Sequence, residues 1–326
     1  TFLYVIISSM QDSFWQKLPQ PFFILAPMEA VTDIIFRHVV AEAGSPDIWF
    51  SEFTNATGWT HAGQKAIGGR LVKSIDEYPI VAQIWGGNPN DMQNLASYCR
   101  ELGFHGIDIN MGCPAKSAIK SGGAALIRNP ELAIESIKAA KTANLPVSVK
   151  TRLGYSNISE YKDWISTLLK QDIVNLTVHL RTKKEMSKVP AHFELIDEIV
   201  KLRNEISPQT LLTINGDIKN RAHGEEIVKN HPGVNGIMIG RGIFTDPFCF
   251  RNNPKNTEKT QNDLVNLLRI HLGLFDQWQP QTGRPFETLK RFFKIYIKGF
   301  DGAKEARELL MQCKSTDEAR KIIDSL

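Results

Sequence analysis

Gly106-Ile107-Asp108-Ile109-Asn110-Met111-Gly112-Cys113-Pro114 is a short apolar strand running into a turn that carries an amide and a thiol. The same kind of run recurs along the chain every 25 to 40 residues or so, each time followed by enough residues for a helix, which is the pattern of repeated βα units. Eight such runs occur: Phe22–Ala26, Ile48–Ser51, Ile80–Ile84, Gly106–Asn110, Val147–Lys150, Leu176–His179, Leu211–Ile214 and Gly236–Ile239. Eight parallel strands with connecting helices close into an α/β fold of the (β/α)8 TIM-barrel type, which carries its chemistry at the C-terminal ends of the strands. The residues just past each run therefore decide what the barrel does.

Those residues are polar or charged at every strand. They are Pro27-Met28-Glu29, Glu52, Gln83, Asn110 to Cys113, Lys150 with Arg152, His179 with Arg181, Asn215-Gly216-Asp217 and Gly240-Arg241-Gly242. A lone strand-end His or Asn is usually a capping or packing residue. Eight corresponding positions that converge on one mouth point to a site.

The 326 residues, 42% hydrophobic, suffice for a barrel of about 250 residues and a small second unit. The division expected is an N-terminal extension over 1–21, a barrel over 22–250, a linker over 251–261 and an all-α helical domain over 262–326. Within the extension, residues 1–9 read as a start-site remnant, with Met10 the expected start; the apolar run Phe2–Ile7 is too short to span a membrane and has no cation before it. Cys99, Cys113, Cys249 and Cys313 are widely spaced with no C-x-x-C pair. That disfavours a disulfide framework and a zinc site, so no metal is expected, and it fits a reducing, cytoplasmic compartment. Asn129-Pro130-Glu131 and Asn88-Pro89-Asn90-Asp91 read as helix openings with no role beyond architecture.

The net charge is +4, and from Lys255 to Leu326 there are 13 Lys and Arg against 10 Asp and Glu, so the basic excess is concentrated there. In this region Arg284 to Phe300 is expected to be one helix. At 100° per residue Phe286, Leu289, Phe292, Phe293, Tyr296, Ile297 and Phe300 share a face, and Lys290, Arg291, Lys294 and Lys298 line the other. On its own this is most simply a core helix with a solvated lysine face. It becomes a phosphate-binding surface only if the barrel points to nucleic acid.

At the mouth, the turns Asn215-Gly216-Asp217 and Gly240-Arg241-Gly242 follow the seventh and eighth strands, where barrels frequently hold phosphate. A phosphate-bearing cofactor is implied. Gln83, Lys150 and His179 would lie under its ring, and flavin mononucleotide (FMN) fits: a cation stabilises the reduced ring's N1–C2 edge, and a side-chain amide can pair with its pyrimidine part. A Schiff-base role for Lys150, as in an aldolase-type barrel, is the lesser reading by strand position alone. The thiol of Cys113, unlike the other three cysteines, sits in a turn shaped by Gly112 and Pro114, where it can serve as nucleophile or proton donor.

Taken together, Leu25–Asp33, Gly106–Pro114, Ser148–Gly154 and Ile237–Gly242 resemble the signatures of the tRNA-dihydrouridine synthases, in order from about residue 22 to 250, and the basic helical segment resembles that family's tRNA-binding domain. The resemblance implies an FMN enzyme that reduces the C5–C6 double bond of a tRNA uridine with NADPH, hydride going to C6 and the cysteine matching Cys113 protonating C5. It implies that Pro27, Met28, Gln83, Lys150 and His179 contact the flavin, with Asn215, Gly216, Asp217, Gly240 and Arg241 toward its phosphate. Asn110, Lys150 and Arg152 would hold the extruded uracil, Arg181 would reach nearby phosphate or base, and Lys290, Arg291, Lys294 and Lys298 would meet the RNA. A proton-donating Cys113 must not be strongly activated as a thiolate. Three departures stand out: Leu180 replaces a frequent Gly and is expected to narrow the pocket, Asp217 replaces a frequent Glu, and Lys183–Pro190 diverges. A monomer without membrane attachment is expected. A flavin barrel acting on a free pyrimidine or other small molecule explains the barrel equally well but not the cationic segment, and an inactive RNA-binding barrel would not need Cys113 and Lys150.

Overall fold

A computed structural model describes residues 13–120, 122–252 and 259–326; the proposed remnant at 1–9, the start at Met10 and most of the 251–261 linker lie outside the described residues. The strands are β1 (Phe22–Leu25), β2 (Trp49–Phe50), β3 (Thr54–Asn55), β4 (Ile80–Trp85), β5 (Gly106–Met111), β6 (Val147–Arg152), β7 (Asn175–His179), β8 (Leu211–Asn215) and β9 (Gly236–Ile239). All pair in parallel, in the order β1-β9-β8-β7-β6-β5-β4-β2, and a bridge between Ile24 and Ile48 joins β1 to the start of the β2 run. This closes the (β/α)8 barrel. One strand beyond the eight, β3, pairs Thr54 and Asn55 with Ile84 and Trp85 and extends the wall on that side of the mouth.

Parallel strands are buried on both faces, which is why they are near-continuous apolar runs. Inside the barrel, Phe22, Ile24, Phe50, Val81 and Met238 pack with Trp15, which comes from the short 3-10 turn Phe14–Lys17 and is only 1% exposed. Trp15 thus caps the lower end, and the mouth is left as the open one. Outside, helices Pro89–Glu101 and Pro130–Lys141 begin as their sequences indicate, with Asn88 and Asn129 accepting from backbone N–H groups one turn on and proline in the first turn. Cys99, Cys249 and Cys313 are buried.

Beyond the barrel the chain is helical: Gln261–Thr282, Ala303–Gln312 and Thr316–Ile323. Gln261–Thr282 packs against Ile34–Ala43 of the barrel wall, and Phe36 stacks on Phe292 with ring centroids 4.7 Å apart. His271 lies among Phe36, Phe292 and Tyr296, its Nδ1 2.8 Å from the Tyr296 hydroxyl. No helix among the described residues is long and apolar enough to cross a membrane.

Arg284–Phe300 is not the single α-helix its periodicity suggests. It is a 3-10 helix over Phe286–Phe292 followed by one α turn over Phe293–Tyr296. Phe286, Leu289 and Phe292 are nevertheless buried, because a three-residue period of 120° superimposes i and i+3. Ile295, assigned to neither face, is also buried.

Candidate active site

The mouth holds a cavity of about 750 Å³ bounded by strand ends from across the barrel. Ala26, Pro27 and Met28 come from β1, Lys150 and Arg152 from β6, His179 from β7, Asn215 to Asn220 from the turn after β8, and Gly240 to Gly242 from the turn after β9. Most of the residues expected to meet cofactor or substrate therefore share one space: Pro27 and Met28, then Lys150, Arg152 and His179, then Asn215, Gly216 and Asp217, with Gly240 and Arg241 alongside. The volume lies within the ordinary range for a bound cofactor.

Two features suit the β8 and β9 turns to an anionic group. At Gly216 φ is 122°, and a Cβ there would stand 3.0 Å from the His179 ring; at Gly242 a Cβ would collide with the carbonyl of Lys219. Only glycine lets these backbones pass so close. Asp217 then knits the turns together. It accepts from Arg181, from Arg241 Nη2 at 3.1 Å and from the Ala191 N–H at 3.0 Å. Asp217 thus has structural partners on three sides, which gives the shorter carboxylate a role in shaping the turn.

Lys150 Nζ donates to Asn215 Oδ1 at 3.2 Å, and Asn215 Nδ2 donates to the carbonyl of Met238, so β6, β8 and β9 are linked across the cavity floor. Burial, reinforced by the Arg152 charge, pulls the Lys150 ammonium down to about 8. Burial and the neighbouring cations Arg152, Lys150, Arg181 and Arg241 hold His179 well below its usual range, so its ring is neutral. Arg181 Nη1 lies 3.2 Å from His179 Nε2. A guanidinium can only donate, so Nε2 accepts and the ring proton is on Nδ1.

Cys113 is half-buried and does not itself line the cavity; the carbonyl of its neighbour Gly112 accepts at 2.8 Å from Nε of Arg152, which does line it. Its turn is held by Asn110, whose Oδ1 accepts from the N–H groups of Gly112 at 3.0 Å and Cys113 at 2.9 Å. Burial pushes the thiol above its ordinary range, with the Ala115 N–H and Arg152 pulling weakly the other way. The thiol is protonated at neutral pH, as a proton donor requires.

Several residues expected at the site lie outside the cavity. Arg181 is 2% exposed and does not reach the cavity: Nε donates to the Val189 carbonyl at 2.6 Å, and the remaining nitrogens serve His179 and Asp217. Gln83 is fully buried and bonded to Asp108 and Asn110, beneath the cavity wall. Leu180 faces the core between sheet and helices and does not narrow the cavity. Of the four cations on the C-terminal segment, Arg291 donates to the Ala30 carbonyl at 2.9 Å, Lys298 donates to the Thr245 carbonyl at 2.6 Å, Lys290 lies 5.9 Å from the Phe286 ring centre, and Lys294 is exposed. Ser187, Lys219, Asn220, Thr245 and Asp246 also line the cavity. Ser187 belongs to the divergent segment Lys183–Pro190; none of the five adjoins a strand end, the one signal by which the sequence marks the site.

A family model described as "Dihydrouridine synthase (Dus)" matches residues 24–325. A Bacillus subtilis protein called "Probable tRNA-dihydrouridine synthase 2" is 54% identical over 317 residues, covering 97% of each chain. A Staphylococcus aureus protein called "Probable tRNA-dihydrouridine synthase" is 52% identical over 317 residues, covering 97% of this chain and 96% of its own. Among solved structures, 2-naphthoyl-CoA reductase in complex with 2-naphthoyl-CoA superimposes with a TM-score of 0.52 at 11% identity, over 70% of this chain and 49% of that one, a likeness of fold alone.

Proposed function

The chain belongs to the dihydrouridine synthase family, and on that premise we propose that it reduces the C5–C6 double bond of a tRNA uridine, with FMN as its flavin and NADPH as reductant, Cys113 supplying the proton. Support for the flavin comes from the donor set: the glycine turns after β8 and β9 suit its phosphate, and Lys150 and neutral His179 suit its ring. The flavin, when bound and reduced, supplies the hydride for one carbon of the double bond. The protein's residues do the rest. Arg152, with two nitrogens committed to the carbonyls of Gly112 and Thr182, keeps a donor nitrogen for a uracil carbonyl. Asn110 fixes the Cys113 turn so that the thiol sits on the side of the base away from the hydride source. Lys290 and Lys294 engage RNA phosphates, and the protein works as a cytoplasmic monomer.

The observation that carries this reading is the half-buried thiol at the end of β5, its turn fixed by Asn110 and one residue from the Gly112 carbonyl that Arg152 holds. Purified protein should be yellow and release FMN on denaturation. Cys113→Ala should keep its flavin and its oxidation of NADPH, yet reduce uridine in unmodified tRNA about 10² to 10⁴-fold more slowly, the usual contribution of a positioned acid. Product formation at the wild-type rate would remove the assignment. A free pyrimidine substrate is not favoured, since both relatives carry the tRNA enzyme's name over the full length matched.

A further inference from the structure

Behind Asn110, which fixes the thiol turn, lies a chain of buried side chains to which the reaction assigns no part. Asp108 on β5 is fully buried, and its carboxylate oxygens accept from Ser148 Oγ on β6 and Gln83 Nε2 on β4, each at 2.6 Å. Gln83 Oε1 accepts from Asn110 Nδ2 at 3.0 Å. Asn110 Oδ1 in turn accepts from the N–H groups of Gly112 and Cys113. The strand register sets these residues side by side, Gln83 opposite Asp108 and Asp108 opposite Ser148.

The chain has one direction. Burial pushes the Asp108 carboxyl up, but both of its oxygens face donors, Ser148 Oγ and Gln83 Nε2, so Gln83 turns its NH2 toward Asp108 and its oxygen toward Asn110. Asn110 must then turn its NH2 toward Gln83 and its oxygen toward the turn. Main-chain N–H groups at the far end demand the same orientation. Reversing any link leaves two donors or two acceptors facing one another in a space closed to water, where an unmet polar group costs about 1–3 kcal/mol.

We propose that Asp108 and Gln83 are positioning residues for Cys113: the buried carboxylate, acting through two amides, fixes the orientation of the Asn110 side chain and with it the place of the thiol. The inference rests on Cys113 being the proton donor, but its test does not need turnover. Gln83→Glu sets a second carboxylate against Asp108, and the pair must take up a proton whose position competes with the Asn110 amide. Adding Asp108→Asn exchanges the two groups: Asn at 108 accepts from Ser148 and donates to Glu at 83, which again accepts from Asn110. The direction of the chain is restored with almost no change of volume.

The experiment measures the rate of iodoacetamide alkylation of Cys113 against pH in the purified protein, with Cys113→Ala as the blank. Gln83→Glu should change the alkylation rate at pH 8 at least fivefold, and Gln83→Glu/Asp108→Asn should return it to within about twofold of wild type with the same pH midpoint. A single variant that alkylates like wild type overturns the proposal, as does a double exchange no closer to wild type than the single. If Gln83→Glu does not fold, the double exchange decides alone: folded with wild-type thiol behaviour supports the chain, folded with altered behaviour overturns it. Cys113→Ala that still reduces uridine at full rate would instead sink the proton-donor reading and leave the alkylation result standing.

Discussion

Lys150 is the residue whose setting most sharply constrains the chemistry. Held down to about 8 by burial and Arg152, it is charged below that pH and loses its proton as the pH rises through it. A group that accumulates negative charge beside it stabilises the ammonium and raises its pKa, so by linkage the affinity for that group falls as the free lysine deprotonates. Flavin binding to apoprotein should therefore weaken above pH 8, by up to about tenfold per pH unit. Lys150→Met should bind flavin more weakly at pH 7 and show no decline, as followed by quenching of flavin fluorescence; parallel profiles in the two proteins would remove Lys150 from the ring. Residues such as Lys150, His179 and Asn215 were legible in the sequence because each ends a strand, and parallel strands in a barrel bring their ends together. Arg181 also follows a strand but lies outside the cavity, for a reason the sequence does not carry. Its direction is set by the Val189 carbonyl and the Asp217 carboxylate, on different loops, and those partners draw it away from the mouth.

Strands and helices were readable in different degrees. Buried parallel strands announce themselves as apolar runs, and all eight expected ones match to within two residues at either end, although Trp49–Phe50 is only half its run; β3 is too short to leave a pattern. Over Phe286–Phe292 the apolar spacing fits both 100° and 120° per residue, so burial could be foreseen while the helix type could not. The consequence reaches the cationic side. Arg291 donates one N–H to Ala30 and Lys298 one to Thr245 and both keep further donors, while Lys290 and Lys294 make no such main-chain bond among the described residues and can be reversed without loosening the segment. Reversing both, Lys290→Glu with Lys294→Glu, should weaken tRNA binding at low salt and lower the slope of log affinity against log salt by about one for each phosphate no longer neutralised. Filter-binding isotherms over a salt series give both quantities, and an unchanged slope would make this face merely solvated.

At the scale of the whole molecule, the C-terminal helices are tied to the barrel mouth by a buried charge pair. Glu52, at the end of the second run, is fully buried; one carboxylate oxygen accepts from the Ala30 N–H and the other from Arg284 Nη2. Arg284 Nε lies 3.6 Å from Asp33 and makes no hydrogen bond, so the bond to Glu52 is its principal anchor. Burial pushes the Glu52 carboxyl up and Arg284 is the chief influence holding it down. Because Ala30 belongs to the loop that carries Met28 into the cavity, the docking of the helices and the shape of the cavity depend on the same carboxylate. Arg284→Met removes the counter-charge and leaves a buried carboxylate, a change that typically costs about 3–5 kcal/mol. The sign of its pH dependence follows from the direction of the shift. A carboxyl whose folded pKa lies above its unfolded value binds a proton preferentially in the folded protein, so the variant's deficit is largest near pH 7 and shrinks as the pH falls through the raised pKa. Urea unfolding of wild type and Arg284→Met at pH 7 and pH 5 measures that difference, and Glu52→Gln in the Arg284→Met background should recover more of the loss at pH 7 than at pH 5. A deficit equal at both pH values would mean that Arg284 acts through packing, and that the helices are held to the mouth by Phe36, His271 and Phe292 rather than by charge.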